Sequence, residues 1–193
     1  MANGTKRKIL HESMKLFKEK GYAAVSVEDI CAAAGITRST FYYHYKTKAA
    51  ILDSVYVDYR SEKSEKQLAS IFLSKNKWEQ LWWICEDSID LTQAIGWELE
   101  SMLFTVNLTE HGNVFSPAES LDTDEVYIAV IEQGQQEGQF LSKADPVILG
   151  KMIRPLIVGT TLEWCDASGE FDLKKRIRER LIALLNVKSD LVK

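Results

Sequence analysis

The segment from Thr37 to Lys48 has an unusual density of side chains that make hydrogen bonds. It contains one arginine, one histidine, two lysines, three tyrosines and several hydroxyl side chains, and it has no carboxylate. Arginine, lysine and hydroxyl side chains are those with which proteins contact base edges and phosphate oxygens. A carboxylate in the same place would be repelled by the phosphate backbone. The composition therefore indicates a segment that contacts DNA.

A helix beginning at Arg38 would turn two faces of this segment in opposite directions. Phe41 and Tyr45 lie four residues apart and would face the core together. On the outer face, Arg38 can donate two hydrogen bonds to guanine, and the hydroxyls of Ser39 and Thr40 can bond to base edges. The side chains that suit phosphate oxygens are Tyr42, Lys46 and Lys48. A polar surface helix with half-buried tyrosines is the alternative interpretation of this composition.

Two helices joined by a glycine turn would position this outer face. Ser26 and Asp29 match a capping box at the start of the first helix. Gly35 suits the left-handed position that ends a helix, and Thr37 is a favourable N-cap for the next one. Helix, glycine turn and helix within about twenty residues form a helix-turn-helix pattern.

Charge is distributed unevenly along the chain. Residues 1–50 contain nine Lys and Arg against four Asp and Glu, a net charge of +5, whereas the remaining residues sum to −9. A basic N-terminal part on an acidic protein favours contact with a polyanion such as DNA. A solvated lysine-rich surface would have the same balance.

The first 55 residues resemble the N-terminal domain of TetR-family transcriptional regulators. The resemblance rests on ILHESMKLFKEKGY followed by VSVEDICAAAGITRSTFYYHYKTKAAIL, with Phe-x-x-x-Gly-Tyr, Ala-Gly-Ile and Tyr-x-x-Tyr-x-x-Lys in register. The family usually has Phe where this chain has Tyr45. Beyond the residues already named, the resemblance implies base contacts from Thr37 and Tyr43 and phosphate contacts from Ser26 and His44. It also implies a double-stranded DNA operator, a homodimer and a small-molecule effector of unknown identity.

The rest of the chain is also predicted to be helical, which gives an all-α fold of about nine helices. A three-helix DNA-binding head, residues 1–48, would be joined to a helical-bundle body, residues 49–193, that binds ligand and dimerises. A long helix is expected to start at Thr47, and a long loop is expected over residues 109–123. The other helices are predicted over residues 77–92, 94–108, 122–137, 145–166 and 172–187.

The last two helices are predicted to form a four-helix seam between two subunits. The helix over residues 145–166 is apolar nearly all round, so it must be covered on several sides. The last helix has leucine and isoleucine at coiled-coil-like spacing. The predicted seam residues are Ile148, Met152, Leu156, Leu173, Ile177, Leu181 and Leu184. An ordinary core within one chain is the alternative interpretation.

Aromatic side chains are concentrated in the body, where all five tryptophans lie. An aromatic, apolar lining is typical of cavities that hold small molecules. The candidate pocket residues are Trp82, Trp83, Trp97, Phe104, Tyr127 and Trp164. Aromatic residues at helical spacing also form ordinary cores, and the sequence does not decide between these interpretations.

Several classes of protein are not expected from this sequence. No Cys or His pair has metal-ligand spacing, and there is neither a phosphate-binding glycine loop nor a nucleophile elbow, so we expect no metal, no cofactor and no enzyme. Three scattered cysteines and the lack of a long apolar run favour a cytoplasmic protein with reduced thiols and no membrane partner.

The expected function is a repressor released from a palindromic operator by a small ligand. Alternatives are an activator, a co-repressor-dependent regulator, or an adaptor that keeps the fold but binds another protein.

Overall fold

The computed structural model describes residues 2–52, 54, 74–110 and 117–192, and helices dominate these ranges. The helices are α1 (Ala2–Lys20), α2 (Val27–Ala34), α3 (Arg38–His44), the start of α4 (residues 49–52), α5 (Lys77–Ile95), α6 (Trp97–Glu110), α7 (Pro117–Gln136), α8 (Pro146–Asp166) and α9 (Leu173–Leu185). Within the described ranges there is no β-strand, only an isolated bridge between Phe140 and Val187. The predicted all-α fold with a helix-turn-helix head is confirmed.

Contacts group the helices into two units. The first contains α1, α2, α3, the start of α4, and α6 from Glu98 onward. The second contains α5, α7, α8 and α9, together with Trp97. The sequence-based division at residue 48 places α6 in the body instead.

The first unit is built around apolar side chains contributed by successive helices. Ile9 and Phe17 of α1, Ile30 of α2, Phe41 of α3 and Ile51 of α4 are each at most 2% exposed. Burial of such side chains contributes about 1.5–3 kcal/mol each, which fixes the short helices α2 and α3 that would be unstable alone.

In the second unit α8 packs against α7 and α9, and α5 packs against the same two helices. Gly150 allows the approach of α7, because a Cβ there would lie 2.5 Å from a side-chain carbon of Ile128. Arg180 of α9 holds α8 by donating to the Thr160 hydroxyl at 2.9 Å and to both carboxylate oxygens of Glu163 at 3.0 and 2.7 Å.

The predicted loop over residues 109–123 is wrong at its C-terminal side. Helix α7 begins at Pro117 rather than near residue 122. Proline is favoured in the first turn of a helix, because its missing N–H would have no partner there and its φ angle is already helical. The long helix expected from Thr47 is helical at residues 49–52 and 54, and its continuation lies outside the described residues.

Candidate nucleic-acid interface

The start of α2 is fixed by a complete capping box. The Ser26 hydroxyl accepts from the Asp29 backbone N–H at 3.1 Å and donates to Asp29 Oδ2 at 2.6 Å, while the Ser26 N–H donates to the same carboxylate at 2.8 Å. These hydrogen bonds from Ser26 lower the pKa of the Asp29 carboxyl. Ser26, a predicted phosphate contact, therefore already serves as the helix cap.

The turn between α2 and α3 follows the predicted pattern. Gly35 adopts the left-handed conformation, with φ 63° and ψ 41°, and the N–H of Ile36 donates to the carbonyl of Cys31 at 3.0 Å. Thr37 then caps α3 by accepting from the Thr40 N–H at 3.2 Å. The tight glycine turn makes α3 start only four residues after α2 ends, as a helix-turn-helix requires.

The inner face of α3 is anchored as the sequence predicts. Phe41 is fully buried and Tyr45 is 3% exposed. The Tyr45 hydroxyl lies 3.1 Å from the hydroxyl of Ser54 in α4 and so joins the end of α3 to that helix. A buried phenol needs such a partner, which explains how Tyr can occupy a position where phenylalanine is usual.

The outer face of α3 presents the predicted DNA-contacting side chains to solvent. Thr37, Arg38, Ser39 and Lys46 are exposed, and Thr40 and His44 are half-buried. Tyr42 is 40% exposed and Tyr43 76% exposed, far more than a tyrosine needs for packing. Large exposed aromatic side chains of this kind indicate a contact surface.

Three hydroxyls at the start of α3 form one local cluster. Thr37 Oγ1 lies 2.8 Å from Ser39 Oγ and 2.9 Å from Thr40 Oγ1. A hydroxyl has one donor and two acceptor positions, so the hydroxyls of Ser39 and Thr40 keep capacity for a further hydrogen bond. The Thr37 hydroxyl, which also accepts from the Thr40 N–H, uses all three of its positions within the cluster.

Arg38 lies on this face between an acid and an aromatic ring. Its Nη1 is 2.5 Å from a carboxylate oxygen of Glu28 in α2, and its guanidinium carbon is 6.0 Å from the centre of the Tyr42 ring. The side chains of Arg38 and Glu28 are 62% and 58% exposed. Glu28 was not among the sequence-predicted site residues.

Lys48 has partners that the sequence did not indicate. Its ammonium donates to the carbonyls of Tyr22 and Val25, both at 2.8 Å, and lies 4.1 Å from the centre of the Tyr22 ring. Partial burial lowers the pKa of this lysine. Two of its three donors therefore fasten the chain before α4 to the loop between α1 and α2, and one remains for a phosphate.

Comparison with known proteins agrees with this geometry. Residues 9–55 match the family model described as bacterial regulatory proteins of the tetR family. The head of this chain is therefore similar to the DNA-binding part of that family.

Among similar proteins, the HTH-type transcriptional repressor KstR2 of Rhodococcus jostii is 26% identical over 79% of this chain and 76% of its own length. The uncharacterized regulator YerO of Bacillus subtilis is 40% identical, but over only 26% of this chain and 17% of its own length. The crystal structure of Thermus thermophilus FadR, a TetR-family repressor in complex with lauroyl-CoA, has a TM-score of 0.69 at 19% identity and covers 93% of both chains. The family model thus matches the head, whereas the similarity in fold extends over nearly the whole chain.

The predicted seam residues fall into two groups. Ile148 is 59% exposed and Met152 45% exposed, and Leu156 is half-buried. In contrast, Leu173, Ile177 and Leu181 are fully buried within the chain's own core, and Leu184 is half-buried. The fully buried residues of α9 cover α8 and α5 within one chain, so an outer surface on these helices comes mainly from α8.

The predicted pocket residues are also distributed among different environments. Trp82 lines an open depression of approximately 600 Å³ between α5 and α9, together with Glu86, Lys174 and Arg178. Trp83 is 46% exposed, whereas Trp164 and Phe104 are buried, the latter in the first unit. Trp97 is half-buried beside Gly169, where a Cβ would lie 2.7 Å from its ring.

Tyr127 is buried in the second unit next to Cys85. Burial and the neighbouring thiol raise the pKa of Tyr127 well above its ordinary value, and burial raises the pKa of Cys85 to about 12. Both groups are therefore neutral at physiological pH, and the pair acts as a hydrogen-bonded part of the core.

The described residues contain neither a cluster of metal-binding side chains nor a membrane-spanning helix. No group of three His, Cys, Asp or Glu side chains in these ranges is arranged to hold a metal ion. No helix in the same ranges is long and apolar enough to cross a membrane.

Proposed function

We propose that this protein is a repressor whose α3 reads DNA in the major groove. The observation that carries the proposal is the outer face of α3, where donors and aromatic tips are exposed while Phe41 and Tyr45 anchor the opposite face. A helix supported in this way fits the major groove, where each base pair presents a distinct pattern of donors and acceptors.

Side chains on this face take two roles in the proposal. The base contacts are Thr37, Arg38, Ser39, Thr40 and Tyr43, since they lie at the start of α3 or point away from the core. The phosphate contacts are Ser26, Tyr42, His44, Lys46 and Lys48. Among these, Lys46 has the clearest position, because it is exposed, whereas Lys48 offers only its third donor.

A homodimer is part of the same proposal. One recognition helix reads only a few base pairs, which cannot select a site from a genome, and two-fold pairing doubles the sequence that is read. The surface that supports pairing is the outer face of α8, where Val147, Ile148, Met152 and Leu162 are each more than 40% exposed. Apolar side chains grouped on one helix face are typical of protein–protein interfaces.

Release by a small ligand completes the proposed cycle. FadR, which shares the fold, is described in complex with lauroyl-CoA, and KstR2 is named as a repressor. We therefore assign this chain a small-molecule effector bound by the body. Such a ligand lowers operator affinity only by as much as it prefers the conformation that does not bind DNA.

Binding of the purified full chain to DNA from upstream of its own gene tests this function. We expect a gel shift that survives competitor DNA, a footprint with two-fold symmetry, and release by a fraction of the cell's small-molecule extract. Reporter expression that falls when the gene is deleted would identify an activator. Binding that is equal for all sequences, combined with specific capture of another protein, would identify an adaptor and reject the proposal.

A further inference from the structure

We propose that Glu28 is a specificity-determining residue of the head, because it positions the Arg38 guanidinium for one base pair. This inference rests on the proposed function, since it assumes that Arg38 reads a base. Glu28 would touch no base itself; its carboxylate would restrict the directions in which the Arg38 side chain can point.

The contact between the two side chains joins the two helices of the helix-turn-helix. Glu28 lies in the first turn of α2, directly beside the capped Ser26–Asp29 pair, and Arg38 is the first residue of α3. The capping box and the left-handed Gly35 fix the backbone at both ends of α2. The backbone that carries Glu28 is therefore rigid, and the Glu28 carboxylate lies 2.5 Å from Arg38 Nη1.

Tyr42 restricts the orientation of the Arg38 guanidinium from a second side. The guanidinium lies 6.0 Å from the centre of the Tyr42 ring, one turn further along α3. An arginine has five N–H donors in a planar fork, and one carboxylate occupies at most two of them. The remaining donors stay available for guanine O6 and N7 while Glu28 and Tyr42 hold the plane of the fork.

The charge of Glu28 gives this role a recognisable signature. Glu28 is exposed beside Arg38, with 58% of its side chain accessible. Its negative charge lowers affinity for every DNA sequence, because it opposes the attraction of the basic head. A carboxylate that orients Arg38 therefore increases selectivity and weakens general affinity. A residue needed only for folding would instead increase both the selectivity and the general affinity for DNA.

Replacement of Glu28 by glutamine separates these effects, with Glu19→Gln as the matched control. Glu19 is an exposed acid of α1, so its replacement changes the net charge of the head by the same amount. The full-length variants are titrated against the DNA site selected by the wild type from a random pool, against the same site with each base pair substituted singly, and against random duplex.

For Glu28→Gln we expect selectivity at the base pair read by Arg38 to fall roughly fivefold or more. Affinity for random duplex should rise about twofold or more. Glu19→Gln should raise the affinity for all duplexes alike and leave the selectivity unchanged. In an Arg38→Ala background, Glu28→Gln should cause no further loss of selectivity, because the side chain through which Glu28 acts is gone.

Two results would overturn the inference alone: an unchanged selectivity profile for Glu28→Gln beside a relaxed one for Arg38→Ala, or an equal loss of selectivity from Glu28→Gln in both backgrounds. The second result would mean that Glu28 reads a base directly. If Arg38→Ala keeps the wild-type selectivity profile, or if the wild type selects no sequence, the proposed function is wrong. The inference about Glu28 is then wrong as well, because it depends on that function. Circular dichroism at the titration temperature confirms that each variant is folded.

Discussion

Arg38 and Lys48 show how two basic residues of one small head differ in what they can do. Arg38 lies at the start of α3 with most of its side chain in solvent. The Lys48 ammonium, in contrast, donates two of its hydrogen bonds to backbone carbonyls. From the sequence alone, both residues are predicted to contact DNA. Their surroundings distinguish Arg38, which is proposed to contact bases, from Lys48, which also joins backbone segments of the head.

At Arg38, replacement by alanine should cost roughly 1–3 kcal/mol at the selected site and relax preference at one base pair. Lys46→Ala is the comparison, because Lys46 is exposed and is proposed to contact only phosphate. It should weaken binding to all sequences alike. The slope of log affinity against log salt concentration should fall by about one unit, which corresponds to one lost phosphate contact. Fluorescence anisotropy titrations at several salt concentrations measure both quantities. Identical selectivity profiles for the two variants would refute the base contact of Arg38.

Lys48→Met keeps most of the aliphatic length but removes the two bonds to Tyr22 and Val25. We expect a loss of about 1–3 kcal/mol in the stability of the head, in addition to weaker DNA binding, because two partly buried carbonyls lose their charged donor. Chemical denaturation followed by circular dichroism measures the stability. A variant as stable as the wild type would mean that Lys48 serves DNA binding alone.

The capping box should contribute to the way the stability of the head falls at low pH. The pKa of Asp29 is lowered from its usual 3.8, chiefly by the hydrogen bond with the Ser26 side chain. Its charged form therefore stabilises the folded head above pH 3.8, and this contribution is lost as the pH falls through the lowered value. In Ser26→Ala, the pKa should move up toward 3.8, measured by NMR titration. An unchanged pKa would show that the capping box does not exist in solution.

At the scale of the helices, local signals in the sequence set most boundaries correctly. The Ser26–Asp29 box and the left-handed Gly35 act within a few residues, and both occur as predicted. The start of α7 at Pro117 differs from the prediction, because the sequence around this proline resembles a loop. A proline ends one helix and begins another equally well, and only its tertiary context distinguishes the two.

Packing between elements is tested by Gly134 in α7. A Cβ at this position would lie 2.3 Å from a ring carbon of Phe140, which is itself fully buried. Gly134→Ala should therefore destabilise the protein by about 1–3 kcal/mol, although alanine is the better helix former. Thermal unfolding measures the change, with exposed Gln136→Ala as control on the same helix. Stabilisation by Gly134→Ala would mean that the ring does not occupy this place.

At the scale of the whole molecule, the sequence predicted the all-α fold with its helix-turn-helix head but not how the last helix packs. Leucine and isoleucine spacing in α9 suits a seam between subunits and a core within one chain equally well. Three of the residues assigned to the seam, Leu173, Ile177 and Leu181, are fully buried in the chain's own core. The partners of an apolar stripe depend on which helices fold against it, and periodicity alone does not contain that information.

Charge substitutions on α8 and α9 separate the proposed dimer surface from the core. Ile148→Glu combined with Met152→Glu places carboxylates on exposed positions, so the chain should stay folded but sediment as a monomer and lose operator affinity. Leu181→Glu is the contrast, because a carboxylate at that fully buried position costs several kcal/mol and should unfold the body. A folded α8 double variant that remains dimeric would place the interface elsewhere.

The most direct test of the central claim is selection of bound sequences from random double-stranded DNA by the purified wild-type chain, followed by sequencing. Two copies of α3 related by a two-fold axis should enrich an inverted repeat whose half-sites lie about one helical turn, or a multiple of it, apart. Each half-site should contain the base pair whose preference is lost in Arg38→Ala. Enrichment of a single unrepeated site, or of no sequence at all, would contradict the account of a dimeric regulator that reads DNA through α3.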